Sequence, residues 1–386
     1  MKRVLFVLPS LVVGGMEKIA VALANKLASL GYSVTLMILD NKTDLKDELA
    51  DSVKLIYKPY KKHFGQKLPY LRHKLYDDGM WETRAKPGEL YKYYVGNEKY
   101  DVEIAFFRGL SVKIVSGSSN KSAVHLAWVH NDFRKAKGYI NNFADINKAA
   151  AAYSFFDRVI CVSNDAKAGF IETIGDTGNL AAIYNMLPAE RIRALADEKV
   201  TGEYPRAKLH LVVVARLCDK AKGQLRLIDA VTKLHNEGAD ISLSVVGGGE
   251  DFEKFQKAVK DKNAESYITL HGQQKNPYPY IKNADLLVCS SYYEGFNLTV
   301  AEALILETPA LSTQCSGPCE ILDNGKYGML VANSEAGLYN GIKQFVESPE
   351  ILAEYREKAK ARQDFFDENK IIGQITAMFN KEESHA

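Results

Sequence analysis

Glu294 and Glu302 frame the stretch Glu294-Gly295-Phe296-Asn297-Leu298-Thr299-Val300-Ala301-Glu302, whose residue types suit a ligand bearing both phosphate and hydroxyls. An apolar run, Asp285 to Cys289, precedes it and reads as a strand. Behind Asn297, a residue type that caps helices, Leu298, Ala301 and Ile305 recur at helical spacing. The spacing predicts a strand–loop–helix turn, with one acid in the loop and the other about two turns into the helix. Free backbone N–H groups at a helix start, around Phe296, Asn297 and Leu298, suit a phosphate, and the Thr299 hydroxyl would add a donor. The carboxylates suit sugar hydroxyls. A site offering both fits a sugar nucleotide.

Two cations form a second set. Arg216 and Lys222 lie in the loop Arg216 to Gly223, directly after the apolar strand Leu209 to Ala215. When the bond between a sugar carbon and a diphosphate breaks, negative charge gathers on the phosphate. Without a metal, fixed cations and dipoles must meet that charge. Arginine can bind two phosphate oxygens at once, and lysine acts as a point charge. Lys220 competes with Lys222 for this role. Gly14 and Gly15 end the loop Pro9 to Gly15 and would let backbone approach a phosphate or sugar closely. Neither this pair nor Gly247-Gly248-Gly249 makes a dinucleotide fingerprint, because a third glycine at the needed offset is missing. The triplet reads as a turn near the nucleotide base.

The elements that must position these residues fall into two similar halves. The first has strands at Val4–Leu8, Ser33–Leu39, Val102–Phe106, His125–Val129 and Arg158–Val162, with a helix from Met16 to Leu30. The second has strands at Leu209–Ala215, Ile241–Val246, Ile268–Leu270, Leu286–Cys289 and Ala310–Thr313, with helices at Gln224–Glu237 and Asp251–Lys262. Strands alternating with helices imply right-handed βαβ units, parallel sheets, and ligands at the carboxyl ends of the strands. The join is expected near Asn185 to Pro205. The tail carries a helical stripe of Ile371, Ile372, Ile375, Met378 and Phe379 that must pack somewhere.

Composition narrows the class. At 386 residues two domains are the natural expectation, and a formal charge of +2 gives no global field for nucleic acid. No apolar run is long enough to cross a bilayer, and Pro9 cuts short the apolar start, so Met1 to Leu8 reads as a strand and not a leader. Five cysteines, an odd number, point to reduced thiols and a cytoplasmic setting. Cys315 and Cys319 lack the further ligands a zinc site needs, so no metal is expected. Lys54 to Tyr94 is rich in Lys, Arg and Tyr, with Phe64 and Trp81. It reads as an irregular insertion with a solvated face, or as a surface for anionic lipid headgroups or a lipid-linked acceptor.

The segment Cys289 to Leu322, with its paired acids and Gly317-Pro318-Cys319-Glu320, resembles the family 4 retaining glycosyltransferases of the GT-B fold. The Gly14-Gly15 loop, Arg216 to Gly223 with Leu227-Ile228, Val245 to Glu250, and Ala284-Asp285 extend the likeness over most of the chain. It is weakest between Asp40 and Asp101. One departure is visible: Glu307-Thr308-Pro309 stands where the family has Gly-x-Pro. The resemblance implies an α/β, GT-B architecture of two doubly wound Rossmann-like domains facing across a cleft. Residues 1–190 would bind the acceptor and 191–365 the donor, with the helix at 366–386 packing back on the first domain. It implies that Glu294 holds hydroxyls of the donor sugar and Glu302 the ribose hydroxyls. Lys222-Gly223 fits the family pattern better than Lys220. His130, at the end of Leu126-Ala127-Trp128-Val129, resembles the family histidine that reaches the donor sugar; Asp132 would orient its imidazole. Ser163-Asn164 would line the cleft.

The expected function is sugar transfer from a nucleotide donor, by resemblance a UDP-sugar, to a hydroxyl of a glycan or lipid-linked acceptor in bacterial surface-polysaccharide synthesis. No cofactor is expected, since the donor is itself a substrate. Peripheral contact with an anionic membrane is expected and nucleic acid is not. A sugar-nucleotide epimerase of the same fold and a non-catalytic nucleotide-sugar-binding partner are the alternatives.

Overall fold

The computed structural model describes residues 1–58, 80–135, 140–202 and 207–380. The chain forms two compact units, one of Met1–Met186 with the chain from Asn369 onward, the other of Leu187–Glu368.

The first unit is built on seven strands: β1 (Arg3–Leu8), β2 (Ser33–Ile38), β3 (Lys54–Tyr57), β4 (Val102–Ala105), β5 (Val124–Val129), β6 (Arg158–Cys161) and β7 (Leu180–Ala182). They form one sheet in the order β3-β2-β1-β4-β5-β6-β7, with every pairing parallel. Val4 to Leu8 of β1 and all six residues of β5 are buried. Such unbroken apolar runs belong to strands covered on both faces by crossover helices. The second unit has six: β8 (Leu209–Val214), β9 (Ile241–Val246), β10 (Ile268–Gly272), β11 (Leu286–Cys289), β12 (Ala310–Thr313) and β13 (Met329–Val331). Its order is β10-β9-β8-β11-β12-β13, again all parallel. Its core joins Leu211, Val213 and Leu243 of the sheet to Leu227, Ile228 and Val231 of the helix Gln224–Asn236. Fully burying each such side chain is worth roughly 1.5–3 kcal/mol.

Strand order reverses between β1 and β4 in one sheet and between β8 and β11 in the other. These are the topological switch points where adjoining loops splay apart and leave room for a ligand. The loops with Gly14, Arg216, Lys222 and Glu294 all leave strands at these two points.

The structure corrects the sequence reading in several places. β3, β7 and β13, of three or four residues each, were not anticipated; they are too short for periodicity to show. The stretch Arg216 to Gly223, read as a loop, contains the short helix Asp219–Lys222. Within Lys54 to Tyr94, β3 is regular structure, and Tyr91 and Tyr94 are core residues, not surface aromatics. The Tyr91 hydroxyl donates to Glu103 Oε1 at 2.7 Å, and Lys113 Nζ donates to the carbonyls of Glu82 and Thr83 at 2.6 and 2.7 Å. Residues 59–79, Phe64 among them, and the side chain of Trp81 lie outside the described residues. The tail helix Glu368–Ala377 belongs to the first unit from Asn369 on. Ile371, Ile372, Ile375 and Phe379 are buried there, with Lys2 Nζ donating to the Phe379 carbonyl at 2.8 Å. No helix among the described residues is long and apolar enough to cross a membrane.

Candidate active site

In the second unit, the loop after β8 and the loop after β11 are stitched into one surface. The Ser290 hydroxyl donates to the Lys222 carbonyl at 2.8 Å, and the Tyr292 N–H donates to the Ala221 carbonyl at 2.9 Å. Gly223 makes this approach possible. It sits at φ +58°, and a Cβ there would lie 2.5 Å from the Ser290 carbonyl oxygen. Any other residue would be strained and would push the loops apart.

The stitching aims Lys222 at Glu294. Lys222 Nζ donates to Glu294 Oε1 at 2.6 Å, and Ser291 Oγ donates to the same oxygen at 2.6 Å. Glu294 Oε2 takes no partner among the described residues and remains an acceptor. Burial alone would lower the Lys222 pKa, but the adjacent Glu294 carboxylate outweighs it and holds the ammonium above its ordinary value. Lys220 is exposed, so Lys222 is the inward-facing lysine of the two. Arg216 is exposed at the head of the same loop, near enough to Lys222 for their charges to repel. Its carbonyl accepts from Gln224 Nε2 at 2.9 Å, while its guanidinium takes no side-chain partner among the described residues.

Asn297 begins the helix Leu298–Ile305. Its Oδ1 accepts from the Val300 N–H and from the Thr299 hydroxyl, each at 2.9 Å, and its Nδ2 donates to Cys289 Sγ at 3.0 Å. The Thr299 hydrogen is therefore spent inside the cap, which corrects the expectation that it adds a donor for a ligand. The N–H groups of Leu298 and Thr299 precede the first intrahelical bond and are the donors this helix start presents. Phe296 is buried and braces the loop. Glu302 does not lie on a solvated face: the residue is 6% exposed, and Tyr278 Oη donates to Oε1 at 3.4 Å.

Several supports were not found from sequence. Arg226 is buried, with Nε and Nη2 donating to the Ser290 carbonyl at 3.1 and 2.6 Å and its guanidinium stacked 3.9 Å over the Tyr292 ring. Asn333 accepts from Arg226 Nη2 at 2.6 Å and donates to the Tyr292 carbonyl at 3.0 Å. The Thr313 hydroxyl donates to the Ser291 carbonyl at 2.6 Å. These side chains fix the loop that carries Glu294. Their sequence signal is nil, because each acts on a backbone carbonyl far along the chain.

In the first unit, Gly14 caps the helix Gly15–Ser29 in an extended conformation. A Cβ on Gly14 would come within 2.3 Å of Glu17 Oε2, so this helix start carries its own carboxylate. His130 follows β5 and packs 4.7 Å from the Phe106 ring centroid. Its Nε2 lies 2.9 Å from the Phe106 carbonyl. A carbonyl only accepts, so Nε2 carries the hydrogen and Nδ1 is an acceptor. Burial holds the imidazole pKa down to about 4, so it is neutral at physiological pH. Asp132 does not orient it. That carboxylate accepts from Arg134 Nε and Nη2 at 2.9 and 2.8 Å instead. Ser163 is likewise not a lining residue: it is fully buried and caps a helix by accepting from the Ala166 N–H at 3.0 Å. Asn164 Nδ2 donates to the Tyr184 hydroxyl at 3.3 Å. His130 and Met16 border a pocket that also holds Phe107, Arg108, Asn131 and Asn142.

Among the described residues, Cys218, Glu250 and Asp251 bring three ligand atoms within 4.8 Å of one another. These atoms are already engaged: Cys218 Sγ donates to Glu250 Oε1 at 3.4 Å, and Asp251 Oδ2 accepts from the Asp219 N–H at 2.8 Å. They brace the loop after β8. All five cysteines are free thiols.

Residues 13–191 match the family model described as Glycosyltransferase Family 4, and residues 197–362 match Glycosyl transferases group 1. One relative, from Campylobacter jejuni, is N-acetylgalactosamine-N,N'-diacetylbacillosaminyl-diphospho-undecaprenol 4-alpha-N-acetylgalactosaminyltransferase, 29% identical over 49% of this chain and 50% of its own length. Another is the lipopolysaccharide 1,6-galactosyltransferase of Escherichia coli K12, 32% identical over 60% of this chain and 63% of its own. The chain thus spans about half to under two thirds of the length of these curated relatives. The fold matches that of Anabaena Alr3699/HepE, solved in complex with UDP and glucose, at a TM-score of 0.75 and 17% identity over 97% of this chain and 98% of that one. With the two family models together taking in nearly all of both units, the chain belongs to the family 4 glycosyltransferases of the GT-B fold.

Proposed function

We propose that the chain is a retaining, metal-independent glycosyltransferase. It moves a sugar from a UDP-sugar to a hydroxyl of a glycan or lipid-linked acceptor in bacterial cell-surface polysaccharide synthesis. The observation that carries this reading is the Lys222–Glu294 pair at the β8/β11 switch point, beside the exposed Arg216 guanidinium and the helix start at Asn297. The relatives' names support the setting: one acts on a diphospho-undecaprenol saccharide, the other on lipopolysaccharide.

In this reading the diphosphate lies against Arg216, Lys222 and the N–H groups of Leu298 and Thr299. As the bond from the anomeric carbon to the phosphate oxygen breaks, its electron pair passes to the phosphate. The two cations and the helix start then hold charge that is smaller in the bound donor, which lowers the barrier. Glu294 Oε2 accepts from a hydroxyl of the transferred sugar, and Glu302, braced by Tyr278, accepts from the ribose. The acceptor oxygen bonds to the anomeric carbon on the face the phosphate leaves, and its proton passes to a phosphate oxygen. Neutral His130 accepts a sugar hydroxyl hydrogen at Nδ1. A cytoplasmic location with peripheral contact to an anionic membrane completes the proposal, supported by the lysine-rich stretch from Lys54 to Tyr94.

The test is incubation of the purified chain with UDP-glucose, UDP-galactose and their N-acetyl forms, with and without lipid-diphosphate-linked saccharides. UDP release that requires acceptor, insensitivity to EDTA, and an α-anomeric product by NMR are expected. A free C-epimer formed from donor alone would replace transfer with epimerisation, and a β product would overturn retention.

A further inference from the structure

Cys315 and Cys319 are neighbours in sequence, but the fold sets Cys315 against Cys289. β11 and β12 are paired, with Cys289 opposite Ser312. The turns that follow them stay in contact. The Thr313 hydroxyl, which donates to the Ser291 carbonyl at 2.6 Å, also lies 3.4 Å from that of Cys289. Cys315 then begins the helix Ser316–Ile321, and a Cβ on Gly317 would lie 2.2 Å from the Phe296 carbonyl oxygen. The turn after β12 therefore packs backbone to backbone against the loop that carries Glu294. Between the two turns the Cys315 thiol donates to Cys289 Sγ.

Cys289 is the buried member of this pair, 4% exposed, and Cys315 is half-buried. Cys289 Sγ also accepts from Asn297 Nδ2 at 3.0 Å. A sulfur that accepts from two donors ionises more readily than a buried thiol left alone. The hydrogen bond from Cys315 outweighs burial and holds the Cys289 thiol down to about 7. Near neutral pH one proton then lies between the two sulfurs. The transfer chemistry uses neither of them.

The same sulfur helps to frame the donor site. Asn297 stands at φ +75°, a conformation uncommon for a residue with a Cβ. Its Oδ1 caps the helix Leu298–Ile305 through the Val300 N–H, and its Nδ2 is anchored on Cys289. The helix start that presents the Leu298 and Thr299 N–H groups is thus tied to the thiol pair.

We propose that Cys289 and Cys315 form a peroxide-sensitive dithiol, whose oxidation to a disulfide loosens this helix start and weakens nucleotide binding. The oxidant is hydrogen peroxide. The thiolate attacks one peroxide oxygen and the O–O bond breaks. The leaving oxygen takes the remaining thiol proton and departs as water, leaving a sulfenic acid. The second thiolate attacks the sulfenic sulfur. The S–S bond forms, the S–O bond breaks, and the oxygen leaves as a second water with a proton from solvent. Each sulfur is oxidised by one electron, and peroxide is reduced to water. The new bond draws Cys289 Sγ toward Cys315 and removes the charge to which Asn297 Nδ2 donates. The dithiol assignment stands on these contacts; its effect on nucleotide binding rests on the transferase reading above.

The test treats the reduced, desalted chain with equimolar hydrogen peroxide, alkylates the remaining thiols and maps the peptides by mass spectrometry. UDP affinity is measured by calorimetry before oxidation, after it, and after dithiothreitol. A Cys289–Cys315 cross-linked peptide is expected, with two of the five thiols lost to alkylation. UDP should bind about tenfold more weakly until dithiothreitol restores it. In Cys315→Ser the cross-link should be absent, and peroxide should leave UDP affinity within about twofold of its untreated value. Cys319→Ser should behave as the unaltered chain. Circular dichroism checks that each variant is folded, and the peptide map of the unaltered chain carries the test if a variant is not. A Cys315–Cys319 cross-link, or no cross-link, overturns the proposal. So does a loss of UDP affinity under peroxide that persists in Cys315→Ser. A Cys289–Cys315 disulfide that leaves UDP affinity unchanged overturns the coupling to the donor site. Failure of the reduced chain to bind UDP while the cross-link still forms overturns the transferase reading and leaves the dithiol assignment intact.

Discussion

Removing one partner of the Lys222–Glu294 pair is expected to cost both stability and turnover, and the two losses should be separable. The contact is 2.6 Å, with the side chains only 22% and 10% exposed. At an effective dielectric near 20, unit charges this close attract by roughly 4–6 kcal/mol, most of which desolvation offsets. Lys222→Met leaves the Glu294 carboxylate with Ser291 as its remaining donor, in a site that water reaches poorly. A loss of about 1–3 kcal/mol is expected, equivalent to a fall in melting temperature of roughly 3–10 °C for a unit of this size. Glu294→Gln should cost a similar amount, and the double variant less than the sum, with a coupling above about 1 kcal/mol. Both single variants should also lower kcat by roughly two to three orders of magnitude, Lys222→Met because it removes charge stabilisation from the leaving group and Glu294→Gln because it loosens the carboxylate's hold on the transferred sugar. The sign with pH is fixed by the raised Lys222 pKa. The pair's contribution is complete below the ordinary lysine value of 10.5 and is lost as pH rises above it. Urea titration of the four proteins supplies the cycle. A coupling below about 0.3 kcal/mol would refute the idea that loop stitching holds these charges together.

Tyr278→Phe should weaken donor binding about fivefold with little change in kcat, since a long 3.4 Å bond to the Glu302 carboxylate is worth about 1 kcal/mol; steady-state kinetics against donor concentration will show it. His130, with its pKa held down to about 4, should leave kcat/KM flat between about pH 5.5 and 8, and a titration near pH 6.5 that vanishes in His130→Asn would contradict its assignment as a neutral acceptor. His125 behaves oppositely. Burial lowers its pKa, but Asp157 and Glu103, at 3.6 and 3.5 Å, raise it further, to a net value above 6.5. Its contribution is therefore present below pH 6.5 and lost as pH climbs through the folded value, so the first unit should unfold at lower urea on the alkaline side, a slope His125→Gln removes. Glu307→Gly should stabilise the second unit by about 0.5–1 kcal/mol, because it relieves roughly 1–2 kcal/mol of left-handed strain against about 0.5–1 kcal/mol of added chain entropy; a lower midpoint in urea would count against this.

Position 307 shows what the sequence could and could not tell. The departure from the family's glycine was visible as a letter, but its meaning was not. Glu307 stands at φ +59° just past the helix Leu298–Ile305, where its N–H reaches the Leu304 carbonyl at 3.2 Å and the Thr308 N–H reaches Ala303 at 2.8 Å. This is the paired closure that ends a helix in a left-handed residue. The fold keeps the turn and tolerates the wrong residue in it, since all six positions from Val300 to Ile305, five of them hydrophobic, are already committed by burial. The same division holds at the site. Arg216, Lys222, Glu294 and Asn297 were legible because each lies within a few residues of a strand end, and strand ends follow from apolar runs. Arg226, Asn333 and Thr313 were not, because they act on the 290–292 backbone across gaps in sequence that no local pattern spans. Asp132 failed for the converse reason. It neighbours His130 in sequence, but the chain turns after β5 and gives the carboxylate to Arg134. Local spacing therefore locates a charged group at a sheet edge, while the partner that sets its protonation is decided by chain crossings. For Lys222 that partner lies 72 residues away, which is why the pair, more than either residue, is the quantity to perturb.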